Sequence, residues 1–283
     1  MRVPKFCCLI LAIFFFFYSS SQPGGQVHNP GRFFLKSGQF SIPIYHFQFL
    51  DSITPSRKKI YIIRFDITPG DLKTSQASAA NFVDSIFASL LKKKTLSCII
   101  TSTDFDYNIL RETEYIGALV SEIALDNLDG ASKDALYIHI AFSSGAVTTK
   151  NLTGQFNARF NNHQAQCLRS HFVFSLGDLP CQRINAINGI HLSSNDENIN
   201  IAIILSSADA DAWYNEFEKE SRERRVLQGS IILLSPNLQM TDKILTLNLK
   251  DVELVSYSQN IELQLPINRV RIGLNLKYFY RSS

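Results

Sequence analysis

The chain has 283 residues, of which 45% are hydrophobic and 19% are charged, and its formal net charge is +3. This length is enough for two domains that each bury a core, and the low charged fraction excludes extended disorder. The mild positive charge lacks the concentrated basic stripe of nucleic-acid-binding proteins, so we expect no nucleic-acid specificity.

The first 22 residues have the pattern of a secretory signal peptide. Arg2 and Lys5 precede an apolar run over residues 6–18, and small residues follow at 19–21. A positive start, a short apolar core and a small-residue exit are typical of such a leader. The run is shorter than the about 20 residues that a membrane-spanning helix needs. We therefore expect an exported protein, periplasmic or extracellular, with no stable membrane span once the leader is removed.

The first repeating unit follows a segment, residues 23–38, that is rich in proline and glycine and is predicted to be a flexible arm. An apolar stripe recurs at helical spacing; its residues are Phe82, Val83, Ile86, Phe87, Leu90 and Leu91. It predicts one helix over residues 75–94. Runs of β-branched and aromatic residues predict the strands of this unit, which cover residues 42–50, 59–67, 96–102, 116–125 and 135–142.

The second unit repeats this order after a polar linker at residues 149–164. A helix is predicted from about residue 208 to 225, with Trp213, Tyr214 and Phe217 on its apolar face. Alternating and apolar runs predict its strands, which cover residues 170–176, 184–192, 199–206, 230–235, 244–257 and 269–280.

Sequence echoes between the two units indicate an internal duplication. Residues 46–50 match 171–175, residues 92–100 match 224–232, residues 118–123 match 252–257, and residues 136–142 match 270–276. A unit of this length is a domain and not a solenoid repeat, and one helix within a run of strands excludes alternating βα units. The predicted fold is mainly β (α+β), with two tandem antiparallel β-barrel or sandwich domains, each with one flanking helix, at residues 39–148 and 165–283.

We tested the chain for catalytic and metal-binding patterns and predict neither site. The chain has no G-x-S-x-G, H-E-x-x-H, P-loop or G-x-G-x-x-G sequence. His163, Cys167 and His171 are spaced by four residues, but spacing alone does not make a converging ligand shell, and His171 falls in a predicted strand. The acidic residues of the second helix are interpreted as a solvated face; they are Asp209, Asp211, Glu216, Glu218 and Glu220. We predict no catalytic, cofactor-binding or metal-binding residue and no cofactor.

The basic clusters and the cysteines have structural interpretations. Residues 92–94 are basic, as are Arg222, Arg224 and Arg225, and both clusters lie at the predicted ends of the two helices, where cations suit the helix dipole. Cys98, Cys167 and Cys181 remain after the leader, and this odd count argues against a full disulfide framework. Cys98 is expected to be a buried free thiol, while a bond between Cys167 and Cys181 stays open.

The second unit resembles phage tail tube proteins of the contractile-tail type. The resemblance lies in residues 170–190 (SHFVFSLGDLPCQRINAINGI), in Trp213 and the basic pair 224–225, and in residues 230–235 (SIILLS) and 246–255 (TLNLKDVELV). In the first unit, residues 114–123 (EYIGALVSEI) and 128–135 (LDGASKDA) are similar to the end of that family's domain.

The resemblance implies a structural role in an assembly. Family members form a small barrel flanked by a helix, and six barrels form a ring that stacks into a tube. Two barrels in one chain then imply a trimer with pseudo-six-fold symmetry, as a hub, tube initiator or duplicated tube subunit whose partners are stacked tube or spike proteins. The predicted leader departs from this family, whose members assemble in the cytoplasm; without a functional leader, assembly on a virion or in the cytoplasm is expected.

Two other classes of function stay open from the sequence. One is a secreted two-domain β-rich binding protein that recognises a glycan or a protein through its loops. The other is a hydrolase with an unrecognised site, which the lack of a nucleophile–base motif disfavours.

Overall fold

The first barrel is a closed antiparallel sheet in a computed structural model of the protein. The structure describes residues 32–37, 40–53, 59–70, 76–156, 167–196, 198–223, 226–235, 242–260 and 269–281. The strands of the first barrel are β1 (Arg32–Ser37), β2 (Phe40–Ile53), β3 (Lys59–Ile67), β4 (Leu96–Thr103), β5 (Ile109–Leu125), β7 (Ile138–Ser144) and β8 (Ala146–Lys150). Each barrel strand pairs with the next in the order β5-β4-β1-β2-β3-β7, β7 pairs back onto β5, and β8 lies beside β5.

The second barrel has the same strand order as the first, but the two strands that come first in its chain segment do not pair with each other. Its strands are β9 (Phe172–Leu176), β10 (Ile184–Asn188), β12 (Ile199–Ser206), β13 (Leu227–Leu234), β14 (Lys243–Asn260) and β15 (Arg269–Arg281), and β11 (His191–Ser193) precedes β12 in the chain. Its sheet runs β10-β12-β15-β14-β13-β9, and the two-residue strand β6 (Leu128–Asp129) lies at its edge beside β10. The mainly β fold of two barrel-like sheets with flanking helices is therefore confirmed.

The strand registers show that the two barrels are copies of one design. In the first barrel, β5 and β4 pair Tyr115 with Cys98 and Ala118 with Leu96. In the second barrel, β14 and β13 pair Leu249 with Gly229 and Val252 with Leu227. Each pairing has a bulge between these positions. The bulge residues Gly117 and Asp251 both have a positive φ, 62° and 51°. A second bulge follows in each barrel, before Glu122 against β7 and before Ser256 against β15. Shared irregularities at matching positions support the internal duplication more strongly than sequence echoes do.

One helix follows the equivalent strand in each barrel and covers its core. Helix α1 (Gln76–Lys92) buries Ile86, Phe87 and Leu90, as its stripe predicts, but Leu91 of the same stripe is 50% exposed. Helix α2 (Ala210–Glu223) follows a single 3-10 turn. It buries Trp213 completely, and the indole Nε1 donates to the Pro180 carbonyl at 3.0 Å. The hydrogen bond satisfies the polar end of the indole, so that the ring can lie in the core.

The first strand of the fold corrects the prediction of a flexible arm at residues 23–38. Residues 32–37 form β1, which pairs with both β2 and β4, and Phe34 and Leu35 are 2% and 1% exposed. Proline and glycine nearby in the sequence concealed a short apolar strand whose burial depends on distant partners. The rest of the arm and the leader at residues 1–22 lie outside the described residues.

Three details of the sequence alignment also need correction. Strand β9 is equivalent to β1 and not to β2, so the match of residues 46–50 with 171–175 is wrong. The match of residues 92–100 with 224–232 is wrong by one residue, because Leu96 corresponds to Leu227 and not to the residue after it. The match of residues 136–142 with 270–276 is wrong by two residues, because Ile138 corresponds to Val270. The match of residues 118–123 with 252–257 is confirmed.

The predicted linker at residues 149–164 begins as structure. Strand β8 reaches Lys150, and Phe156 stacks on Phe34 with ring centroids 4.5 Å apart. Residues 157–164 lie outside the described residues. Residues 31–283 pack as one unit, and the exact boundaries of the two predicted domains stay a prediction.

Candidate functional site

The two barrels exchange short strands where they meet, and we call this region the barrel junction. Strand β6 leaves the first barrel and pairs with β10, placing Leu128 opposite Ile187. Strand β11 leaves the second barrel and pairs with β5, placing Leu192 opposite Ile123. Each barrel therefore contributes one strand to the other.

An apolar seam runs along these exchanged strands. Leu128 and Ile187 are fully buried, and Ile123, Ile190 and Leu192 are at most 2% exposed. Burying a Leu or Ile side chain completely stabilises a fold by about 1.5–3 kcal/mol. Backbone hydrogen bonds flank the seam, including Leu125 N to Ile190 O at 2.9 Å and Gly130 N to Asn185 O at 2.8 Å. The junction thus has the dry centre and the paired backbone of a domain core.

A carboxylate at the edge of the seam links the barrels through charge. Asp126, in the turn between β5 and β6, accepts from the backbone N of Tyr137 at 2.9 Å and lies 3.2 Å from Nη2 of Arg169. Arg169 precedes β9 and belongs to the second barrel. The other oxygen of Asp126 lies 3.1 Å from Nε2 of His139 on β7. Asp126 therefore contacts cationic or proton-binding groups from both barrels.

His139 lies between two carboxylates. Its Nδ1 is 2.7 Å from Asp66 of β3, and its Nε2 faces Asp126. Burial of the ring lowers the pKa of His139, but hydrogen bonds and charge attraction from Asp66 and Asp126 outweigh it, so the pKa is raised. Only the doubly protonated imidazole can donate to both carboxylates. A protonated His139 completes this part of the network.

A shallow cleft of about 310 Å³ opens beside this network. His46 lines it, and Nδ1 of His46 lies 2.7 Å from Asp66. His46 occupies a bulge in β2 with a φ of 45°, a conformation that non-glycine residues adopt at a cost and often at functional sites. Gln48, Arg64 and Glu122 complete the polar lining.

A second histidine of the junction belongs to the exchanged strand β11. Nε2 of His191 lies 3.0 Å from Glu122 of β5, and Nδ1 lies 4.0 Å from Asp196. His191 and Glu122 are both partly exposed, so this pair contributes little by itself. It does add a second charged contact across the junction.

The charged network is not part of the duplicated design. By strand register, Asp66 corresponds to Ile204 and His139 to Arg271. The second barrel thus has neither a carboxylate at the position of Asp66, which contacts His46, nor an imidazole at the position of His139, which contacts Asp126. The network reaches Arg169 through Asp126, and this contact connects the network to the junction.

The residues that the sequence analysis considered lie apart from this network. Cys167 is buried with Sγ 3.4 Å from the Leu234 carbonyl, and His171 is 9% exposed. His163 lies outside the described residues. The described residues contain no group of three or more His, Cys, Asp or Glu side chains arranged to hold a metal ion.

The solvated-face interpretation of the acidic residues is wrong for two of them. The side chain of Asp209 is 11% exposed, with Oδ1 3.8 Å from Arg183, and that of Glu216 is 15% exposed beside Lys219. Asp209 lies in the 3-10 turn that precedes the helix, where it turns toward the barrel and not toward solvent. Asp211 is exposed and Glu218 is half-buried, while the side chain of Glu220 lies outside the described residues.

All three cysteines of the described residues are free thiols. Cys98 is 2% exposed, as expected, and burial raises its pKa to about 12. Cys167 and Cys181 do not form the bond that the sequence left open.

Sequence reasoning missed His46, Asp66, Asp126 and His139. A signal was present, because Asp66 and His139 each interrupt an apolar strand and those strands, β3 and β7, are neighbours in the sheet. Since polar groups on paired strands meet directly, a correct strand order would have brought the two residues together. That order is a tertiary property and was not readable from either strand alone.

Comparison with protein-family models and with curated proteins gives no match to this chain. No helix among the described residues is both long and apolar enough to cross a membrane. The likeness to contractile-tail tube proteins therefore stays a prediction.

Proposed function

We propose that the protein is a structural ring subunit of a tube or hub of the contractile-tail type. Each chain supplies two neighbouring positions, and three chains close a pseudo-six-fold ring. In this role the chain acts through its surfaces and central channel, and its partners are stacked tube or spike proteins.

One observation carries the proposal: two equivalent barrels dock through non-equivalent surfaces. The first barrel offers β5 and the β6 turn, and the second offers β10 and β11. Contacts of this head-to-tail kind do not close on two copies, as a two-fold contact does, but continue until a ring or a filament forms. A chain built from two such units has one matching surface left at each end.

The rigidity of the junction supports the same role. The buried seam and the Asp126 contacts fix the angle between the two barrels, and a ring needs a fixed angle to close at one size. The predicted leader adds an exported location to the proposal, with the ring in the periplasm or outside the cell.

The test is the absolute mass of the purified protein by light scattering over a range of concentrations, with negative-stain images of the same sample. Trimers that appear as six-lobed rings with a central hole are the expected result. A protein that stays a monodisperse monomer at high concentration contradicts the proposal.

A second candidate function is favoured by the cleft beside His46. A polar cleft of about 310 Å³ with a strained histidine suits a small polar ligand, as in a secreted two-domain binding protein. The two candidates differ in the same experiment, because a binding protein is expected to be a monomer.

A further inference from the structure

Each barrel uses one of its two docking surfaces at the junction, which leaves the opposite surface of each barrel for another molecule. From the matching registers we infer that β14 of one copy pairs with the outer half of β2 of a second copy, in the way that β5 pairs with β11 inside the chain. This inference rests on the proposed ring and names the surfaces that close it.

The edge of β14 is equivalent to the edge that receives β11. In the first barrel, β4 pairs with β5 only as far as Ala118, and β11 pairs with residues 122–124 beyond that point. In the second barrel, β13 pairs with β14 only as far as Val252, and residues 256–258 occupy the positions of 122–124. Val255 on this stretch is 53% exposed, and Ser256 and Ser258 are exposed. An exposed edge of this kind is a template for another strand.

The outer half of β2 is equivalent to the strand that docks. Strand β1 pairs with β2 only at residues 40–44. Beyond them, β3 is the pairing partner of β2 among the described strands, and the other edge of β2 is unpaired there. Gln48 faces Arg64 as Asn188 faces Ala202, so residues 51–53 lie as many positions beyond Gln48 as β11 lies beyond Asn188. Residues 51–53 remain paired with β3, whereas β11 has left β12 for β5. Phe49 and Leu50, just before residues 51–53, are 44% and 49% exposed. These apolar side chains gain burial when another strand covers this edge.

The equivalence also fixes the register. Inside the chain, His191 faces Ala124. Asp51 corresponds to His191, and Ser258 corresponds to Ala124. The same register therefore places Asp51 of one copy opposite Ser258 of the next. In an antiparallel ladder, two facing residues form a non-hydrogen-bonded pair when the backbone bonds join their neighbours instead, and the side chains of such a pair are closest. Leu125 N donates to Ile190 O, so His191 and Ala124 are a pair of this kind. Ser258 faces Arg271 across β14 and β15. Asp51 and Arg271 therefore lie on the same face of the joined sheet with opposite charges.

The test uses disulfide trapping between two different variants of the full chain. Asp51→Cys and Ser258→Cys are purified separately, mixed and oxidised, and the cross-linked peptides are mapped by mass spectrometry. Ser97→Cys replaces Ser258→Cys in the control, because Ser97 is also an exposed strand serine but lies on β4. The mass of each unoxidised variant is measured by light scattering beside the unmodified protein.

The expected result is a disulfide that joins position 51 of one chain to position 258 of another, and no such product with Ser97→Cys. Assembly into rings without the 51–258 bond overturns the inference and leaves the proposed function standing. Monomers that form neither rings nor the bond overturn both.

Discussion

The contacts of Asp126 predict how strongly charge contributes to the barrel junction. Asp126→Ala removes the acceptor of the Tyr137 amide and the partner of Arg169 and His139. The backbone hydrogen bond to a carboxylate is worth about 1.5–3 kcal/mol. The two cations are 32% and 42% exposed, so each contributes only about 0.5–1 kcal/mol after screening. The expected loss in the free energy of unfolding is about 2.5–5 kcal/mol near pH 6.

The raised pKa of His139 predicts the direction in which the stability cost of Asp126→Ala changes with pH. Because the pKa of His139 is raised in the folded protein from the ordinary 6.5, its contribution is fully present below about pH 6.5 and is lost as pH rises through the raised pKa. The cost of Asp126→Ala therefore shrinks by about 0.5–1 kcal/mol between pH 6 and an alkaline pH. His139→Gln should remove this part of the pH dependence while the Arg169 contact remains.

The assay is urea unfolding followed by fluorescence and circular dichroism at both pH values. Asp106→Ala is the matched control, because Asp106 is exposed in a loop of the same barrel, and surface changes of this kind alter stability by less than about 0.5 kcal/mol. A stability of Asp126→Ala equal to that of the unmodified protein at pH 6 refutes the reasoning. So does a cost that grows as the pH rises.

Three further predictions concern the barrels themselves. Gly229→Ala should destabilise the second barrel by about 1–3 kcal/mol in a urea titration, since the new Cβ would lie 2.2 Å from the Ser175 carbonyl oxygen; an unchanged midpoint argues against that close approach. Gly117→Ala has open space around its Cβ and should cost only about 1–2 kcal/mol from its positive φ, which calorimetry can separate from a null effect. Cys181 should react with a thiol reagent in the native protein while Cys98 reacts only on unfolding, because Cys98 is buried; equal labelling rates would contradict this burial.

Much of the fold was predictable because its strands carry strong local patterns. The predicted bounds of β3 and β12 agree with the structure, and both helices lie within two residues of their predicted N-terminal starts. These segments are long and apolar on one or both faces, so that the period of the pattern is clear. Strand β1 was missed because its six residues follow proline and glycine, and its burial comes from partners that are distant in the sequence.

The junction was predictable only in part. Each exchanged strand has two or three residues, which is too short to show a periodic pattern. Strand β6 lies between the predicted strands 116–125 and 135–142, and β11 overlaps the end of the predicted strand 184–192. The glycine at 189, with a φ of 80°, divides β10 from β11 where the sequence predicted one continuous strand. Polar residues such as Asp126 and Arg169 carry no local mark of the contact between them.

The class of each element and the order in which the elements recur follow from the amino-acid pattern, because side-chain periodicity is a local property of the chain. The folded arrangement alone reveals which strands are neighbours, that each barrel contributes a strand to the other, and that His46, Asp66, His139 and Asp126 form one network. Those outcomes depend on contacts between residues far apart in the chain, and such contacts are selected by the packing of the whole sheet.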